Sequence, residues 1–240
     1  MVISLGKAQK IYSDFLGHVG ALRGKFLSAH LINPTVKDED FRLDVNSFLI
    51  MLHAAFEEFI ETTVKFNLQA AKLHFKRSGL ISPAVFSLLH FSARKFNCSD
   101  KGDKSFYLYV CDVIDDVYKS FEEIIDSNHG TSKRHLQNIL PYAAIDMPDD
   151  PALISSISRL CNARGTWAHK FQVDRDTAHQ IISPQRAGEI AEDVVTFSKI
   201  IFSNVVLSIE NMIEHEREGY RRQLVKMNNL INKHAQLKGM

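Results

Sequence analysis

The chain has 240 residues, 45% of them hydrophobic and 24% charged, with a formal net charge of +1. That length is enough to bury a real core, and the composition excludes a disordered or fibrous chain. So small a net charge creates no global field for nucleic acid, so an RNA-binding surface has to be a local patch.

Cys98, Cys111 and Cys161 are scattered, odd in number and without a CxxC pair, which reads as reduced thiols in a cytoplasmic protein. Met1 to Lys10 lacks the apolar run and cleavage site of a signal peptide, and no 18-residue apolar stretch is free of charge or histidine. A cytoplasmic protein with no membrane contact is therefore expected.

Helical periodicity dominates, and the 11 glycines and 6 prolines fall mostly between apolar runs. The pattern predicts a first helix over about Ser4 to Leu31, ended by Asn33-Pro34. A long second helix starts near Asp38 and runs to about Phe75, with Phe41, Val45, Phe48, Leu49, Leu52, Phe56, Phe59, Ile60 and Val64 on one wide stripe. Ser82-Pro83 is a cap-then-proline start for a third, to about Phe96.

Asn97 to Lys104 reads as a polar loop. A fourth helix, about Ser105 to Ser127, should bury Tyr109, Val113, Val117, Phe121 and Ile124, and Asn128-His129-Gly130 ends it. Ser132 can start a shorter helix to Leu140. Asp146 to Pro151 is a firm break, after which Leu153, Ile157 and Leu160 should point inward. Ser183-Pro184 opens the last helix, which carries Ile190, Val194, Phe197, Ile201 and Val205 to at least Met212. Beyond Glu214 the composition turns polar, and that tail either prolongs the helix into solvent or reaches a partner. No repeat or long linker divides the chain. The expectation is one all-α domain over 1–240, with its core at about 38–212 and a polar tail at about 214–240.

Several chemistries lack their residues. Gly17, Gly20 and Gly24 lie in a helical pattern without the Lys-Ser/Thr ending of a phosphate loop. The eleven histidines form neither HExxH nor a zinc-spaced Cys/His set, so no metal and no cofactor is expected. His30, His74 and His90 read as surface or boundary residues, and Asp115-Asp116 and Glu122-Glu123 as solvated carboxylates. No strand-turn-helix elbow exists to hold a nucleophilic serine.

One segment survives: Leu160-Cys161-Asn162-Ala163-Arg164-Gly165-Thr166-Trp167-Ala168-His169. Arg is a permanent cation whose planar fork matches a phosphate, and His can take and give a proton near neutral pH. The bland account is a surface cation and a histidine at a helix C-terminus, both favoured there by the helix dipole. Trp167, the only tryptophan, reads as a buried anchor.

Arg164-Gly-Thr-Trp-Ala-His169 resembles the R-x4-6-H signature of the HEPN superfamily, all-α ribonucleases common in prokaryotic toxin and defence systems. His53-Ala-Ala-Phe-Glu57-Glu-Phe-Ile60 is similar to the early helix of the RiboL-PSP branch, and the helix opening at Ser183 also fits. The resemblance covers about Phe41 to Met212. It implies a HEPN-like helical bundle with additional helices, and makes Arg164 and His169 the catalytic pair. Gly165 stands where the family most often has Asn, which removes a supporting hydrogen bond; Thr166 could offer a hydroxyl instead. Glu57, and His53 one turn before it, could orient His169 or form a polar pair at the bundle surface.

The implied activity is metal-independent endoribonuclease cleavage by 2′-OH attack, in a toxin or anti-phage effector. Two Arg-His pairs would meet across a homodimer seam. Partners would be RNA and an antitoxin or defence-system protein. The alternative is a catalytically weak or inactive HEPN-like module that binds RNA, a nucleotide or a partner protein. A third reading is an unrelated helical adaptor that docks a protein through its polar tail.

Overall fold

Residues 38–78 contain neither glycine nor proline, so nothing in the backbone chemistry interrupts a helix there. In the computed structural model they form one 41-residue helix, α3 (Asp38–Ser78). The model describes residues 4–32, 38–92, 102, 104–127, 130–169 and 182–238, and within the helices the side chains of all but 38–40, 166–169, 223 and 228–238. The regular elements among the described residues are all helices, with no strand.

Around α3 lie α1 (Leu5–Phe26), α2 (Ser28–Ile32), α4 (Pro83–Phe91), α5 (Phe106–Ser127), α6 (Lys133–Ile139), α7 (Pro151–His169) and α8 (Pro184–Lys238). A short 3-10 turn, Pro141–Ala143, follows α6. α3 packs against α1, α4, α5, α7 and α8, and α8 in turn packs against α1 and α7. Every apolar residue named above on the second predicted helix is buried on α3, with Phe48, Leu49, Leu52, Phe56 and Val64 fully so. The core between α3 and α8 is aromatic: Phe56 meets Phe197 edge-on at 5.8 Å between ring centres, a preferred geometry.

The predicted starts hold because each has a side-chain cap. The hydroxyls of Ser82, Ser132 and Ser183 accept from the backbone N–H of Val85, His135 and Arg186, satisfying amides that the first helical turn leaves unpaired.

Some expectations need correction. The first helix is cut at Leu27 into α1 and α2, because the chain turns there to bury Leu27 completely. α4 ends at Phe91, short of Phe96; residues 93–96, the loop at 97–101 and Cys98 lie outside the described residues. On α5 the buried residue is Ile125, four after Phe121, while Ile124 is half-buried. His74 is not at the surface: it is fully buried, and Nδ1 lies 3.2 Å from Glu216 Oε1 of α8. Asp115 is half-buried between Lys72 and Lys76 of α3, which together outweigh the effect of its burial and hold its carboxyl below the usual range. The tail continues α8 as a helix to Lys238.

Candidate active site

Among the apolar positions in the middle of α3 stand His53 and Glu57, one turn apart. His53 is 2% exposed, so it is a buried group and not part of a surface pair. Its Nδ1 lies 3.7 Å from Glu57 Oε2, too long for a hydrogen bond. The other Glu57 oxygen accepts the backbone N–H of Gly130, in the segment that joins α5 to α6. Glu57 therefore ties α3 to that segment.

Ser132 caps α6 three residues before His135, and so sets His135 in the first turn facing the same region. His135 is 8% exposed and, among the described residues, its Nε2 has no hydrogen-bond partner. Next to Gly130, Thr131 is buried, and its hydroxyl lies 3.4 Å from Cys161 Sγ of α7. Arg164 follows one turn later on α7, half-buried. Arg164 then opens onto a cavity of about 340 Å³ lined by Ala54, Glu57, Glu58, Glu61, Thr62 and Lys65 of α3.

The electrostatics of these groups are coupled. Burial holds the His53 imidazole below its ordinary pKa, opposed by Glu57 and reinforced by Arg164. Burial likewise lowers His135, with Glu57 opposing it. Both imidazoles are thus kept neutral, so the close approach of His53 to Glu57 is not an ion pair at neutral pH. Burial pushes the Cys161 thiol up, against its bond with Thr131, so it stays protonated and is a poor nucleophile. Arg164 is the permanent cation of the group.

Of the residues expected from sequence, His53, Glu57 and Arg164 come together from α3 and α7. Gly165 follows Arg164 inside α7, and a Cβ built there meets no atom of the described residues within 4 Å. Thr166 and His169 belong to the last turns of α7, with side chains outside the described residues, as is that of Trp167. Sequence reasoning missed Gly130, Thr131, His135 and Cys161. The Ser132 cap was a local signal for His135; nothing local could link it to a helix eighty residues earlier. Among the described residues no group of His, Cys, Asp and Glu is arranged to hold a metal ion, and no helix is long and apolar enough to cross a membrane.

The family model described as RiboL-PSP-HEPN matches residues 25–211, and no curated protein or solved structure matches the chain. The matched span runs from the end of α1 through the core part of α8 and takes in His53, Glu57 and the whole Arg164 to His169 motif. The chain belongs to the RiboL-PSP branch of the HEPN family.

Proposed function

We propose that this HEPN protein is a metal-independent endoribonuclease, acting in the cytoplasm as a toxin or anti-phage effector. The observation that carries the reading is Arg164, a half-buried cation opening onto a cavity beside Glu57, five residues before His169 in a family whose signature is that pair.

In this reading His169 removes the proton from a ribose 2′-OH, or protonates the leaving 5′-oxygen. The 2′-oxygen attacks phosphorus, the bond to the 5′-oxygen breaks, and a 2′,3′-cyclic phosphate and a 5′-OH end result. Arg164 holds the phosphoryl oxygens and offsets the charge that grows in the transition state. Glu57, held by the Gly130 N–H and sharing a cavity with Arg164, would in this reading orient His169. A lone Arg-His pair is little equipment, so we read the active form as a homodimer in which two pairs face one groove. The chain is read as one domain, core at about 38–212, with an antitoxin or defence-system protein as a further partner.

A second reading, a HEPN module that binds RNA, a nucleotide or a protein without cutting, draws on two observations. Gly165 carries no side chain to support the pair, and the cavity sets Glu57, Glu58 and Glu61 against Arg164 and Lys65.

Labelled RNA incubated with the purified protein in EDTA decides between them. Cleavage with cyclic-phosphate ends is expected, lowered about two to four orders of magnitude by His169→Ala. Arg164→Lys should also fail, since a point charge does not reproduce a planar clamp. Cleavage unchanged in the His169→Ala protein removes the site, and an activity lost to chelation and restored by a divalent ion overturns the mechanism.

A further inference from the structure

The charge of this chain is divided unevenly. From Arg217 onward the sequence has Arg217, Arg221, Arg222, Lys226, Lys233 and Lys238 against a single acid, Glu218. That segment carries +5, which leaves the remaining 216 residues at −4. The candidate active site lies in the negative part, behind three glutamates. A polyanion gains little binding energy there. The affinity for RNA has to come from elsewhere.

The basic segment is the far half of α8, beyond the residues that the family model matches. Where it leaves the body it forms, with the end of α3, a second cavity of about 420 Å³. Arg77, Leu80, His215, Tyr220, Arg222 and Lys226 line it. The one acid in its wall, Glu216, is turned towards the buried His74. Tyr220 is 69% exposed, and Leu224, Val225 and Met227 beyond it are exposed as well. Arg217 and Arg222 pair with Glu214 and Glu218 through exposed contacts of 3.6 and 3.3 Å. Such bridges hold weakly and yield readily to phosphate.

We propose that the cleft between the end of α3 and the far half of α8 binds single-stranded RNA. Arg77, Arg222 and Lys226 hold its phosphates and Tyr220 stacks on a base. An exposed aromatic ring among cations is what a single strand needs, because each base offers a face for stacking while a duplex hides it. Arg77 is twenty residues beyond Glu57 on α3, about 30 Å along the helix axis. One strand held at the cleft therefore reaches the Arg164 cavity only if it spans several nucleotides. The proposal rests on the ribonuclease reading only for RNA as the polyanion, and its test measures binding alone.

The probe is a labelled polyuridine strand of about twenty nucleotides, titrated against the full-length His169→Ala protein over a range of salt. Changing Arg77, Arg222 and Lys226 together to Gln keeps good helix formers at exposed positions. It should weaken binding about tenfold or more and make the salt dependence shallower by about 2 in the log–log slope. Tyr220→Ala should weaken it about tenfold with the slope unchanged. Circular dichroism of both variants should match the parent. Binding lost in this way upholds the cleft whether or not the unaltered enzyme cuts RNA. The proposal is overturned by a parent that does not bind the strand, or by variants that bind like the parent. Equal binding of polyglutamate or duplex RNA, or a triple variant that loses self-association but keeps its RNA affinity, also overturns it.

Discussion

α8 is one unbroken helix with two different lives. Up to Met212 it buries Ala187, Ile190, Ala191, Val194, Phe197, Ile201, Val205, Ile209 and Met212, none more than 2% exposed, at spacings of three and four. Beyond Ile213 the large apolar residues whose side chains are described are exposed: Tyr220, Leu224, Val225 and Met227 stand 53–69% open. The first half is helical because α1, α3 and α7 bury its stripe. Beyond Glu216 the support seen among the described residues is local, such as the Glu218–Arg222 pair one turn apart, and isolated helices of that length are marginal in water. Periodicity states which face a helix can bury; it does not state whether anything covers that face.

The sharpest way to break this comparison is to truncate one aromatic in each half. Phe197→Ala removes a fully buried ring that meets Phe56 and should cost about 3–5 kcal/mol. Tyr220→Ala should change stability by no more than about 0.5 kcal/mol. Denaturant unfolding of the two variants checks both. Similar losses would mean that the far half is as buried as the near half.

A smaller effect probes the seam between the halves. His74 is fully buried on α3, its Nε2 has no partner among the described residues, and Glu216 meets its Nδ1. Glu216→Ala strips that contact from a ring out of reach of water, at a cost of about 1–3 kcal/mol. Equal stability of variant and parent would show that Glu216 does not hold α8 against α3.

These residues also mark how far the sequence could be read. The cap-then-proline pairs at Ser82 and Ser183 and the apolar stripes of α3, α5 and α8 were legible, because each depends on chemistry within one turn. Leu27 was not, since the turn that buries it is worth making only when α3 and α8 stand beside it. His74 looked like a boundary residue for the same reason: its cover is Glu216, 142 positions away. At the candidate site Arg164 stood out as a motif, and His53 and Glu57 came with the family likeness. The wall behind them comes from two segments, Thr131 and His135 at the start of α6 and Cys161 on α7, and apart from the Ser132 cap no local pattern linked it to α3.

Titration compares that wall with the bulk of the protein. His53 and His135 have folded pKa values below the ordinary 6.5, chiefly through burial. On acidification the unfolded chain takes up these protons first. Their effect on stability is therefore flat well above 6.5, and stability falls as the pH drops through 6.5 towards the folded values. Glu57 faces both rings and Arg164 faces His53; Glu57 moderates the fall and Arg164 steepens it. Unfolding free energies measured from neutral pH down to about pH 5 should slope downward, and His135→Gln should flatten the slope. A parent whose stability is level over that range would show both rings to be accessible.

The gentlest change concerns Gly165. Among the described residues a Cβ at this position meets nothing within 4 Å, so it displaces none of them. Asn is a better former of helix interiors than Gly by a few tenths of a kcal/mol, so Gly165→Asn should leave stability level or slightly higher. It also supplies the amide that HEPN relatives most often carry after the arginine, beside Arg164. If the missing amide limits catalysis, RNA cleavage by the variant should exceed that of the parent, with KM little altered and kcat raised. If the acidic cavity is what limits it, kcat will not move, and removing charge by Glu58→Gln and Glu61→Gln will raise activity instead. A variant that is markedly less stable would show that the space beside Gly165 is filled, and would remove this account of its role.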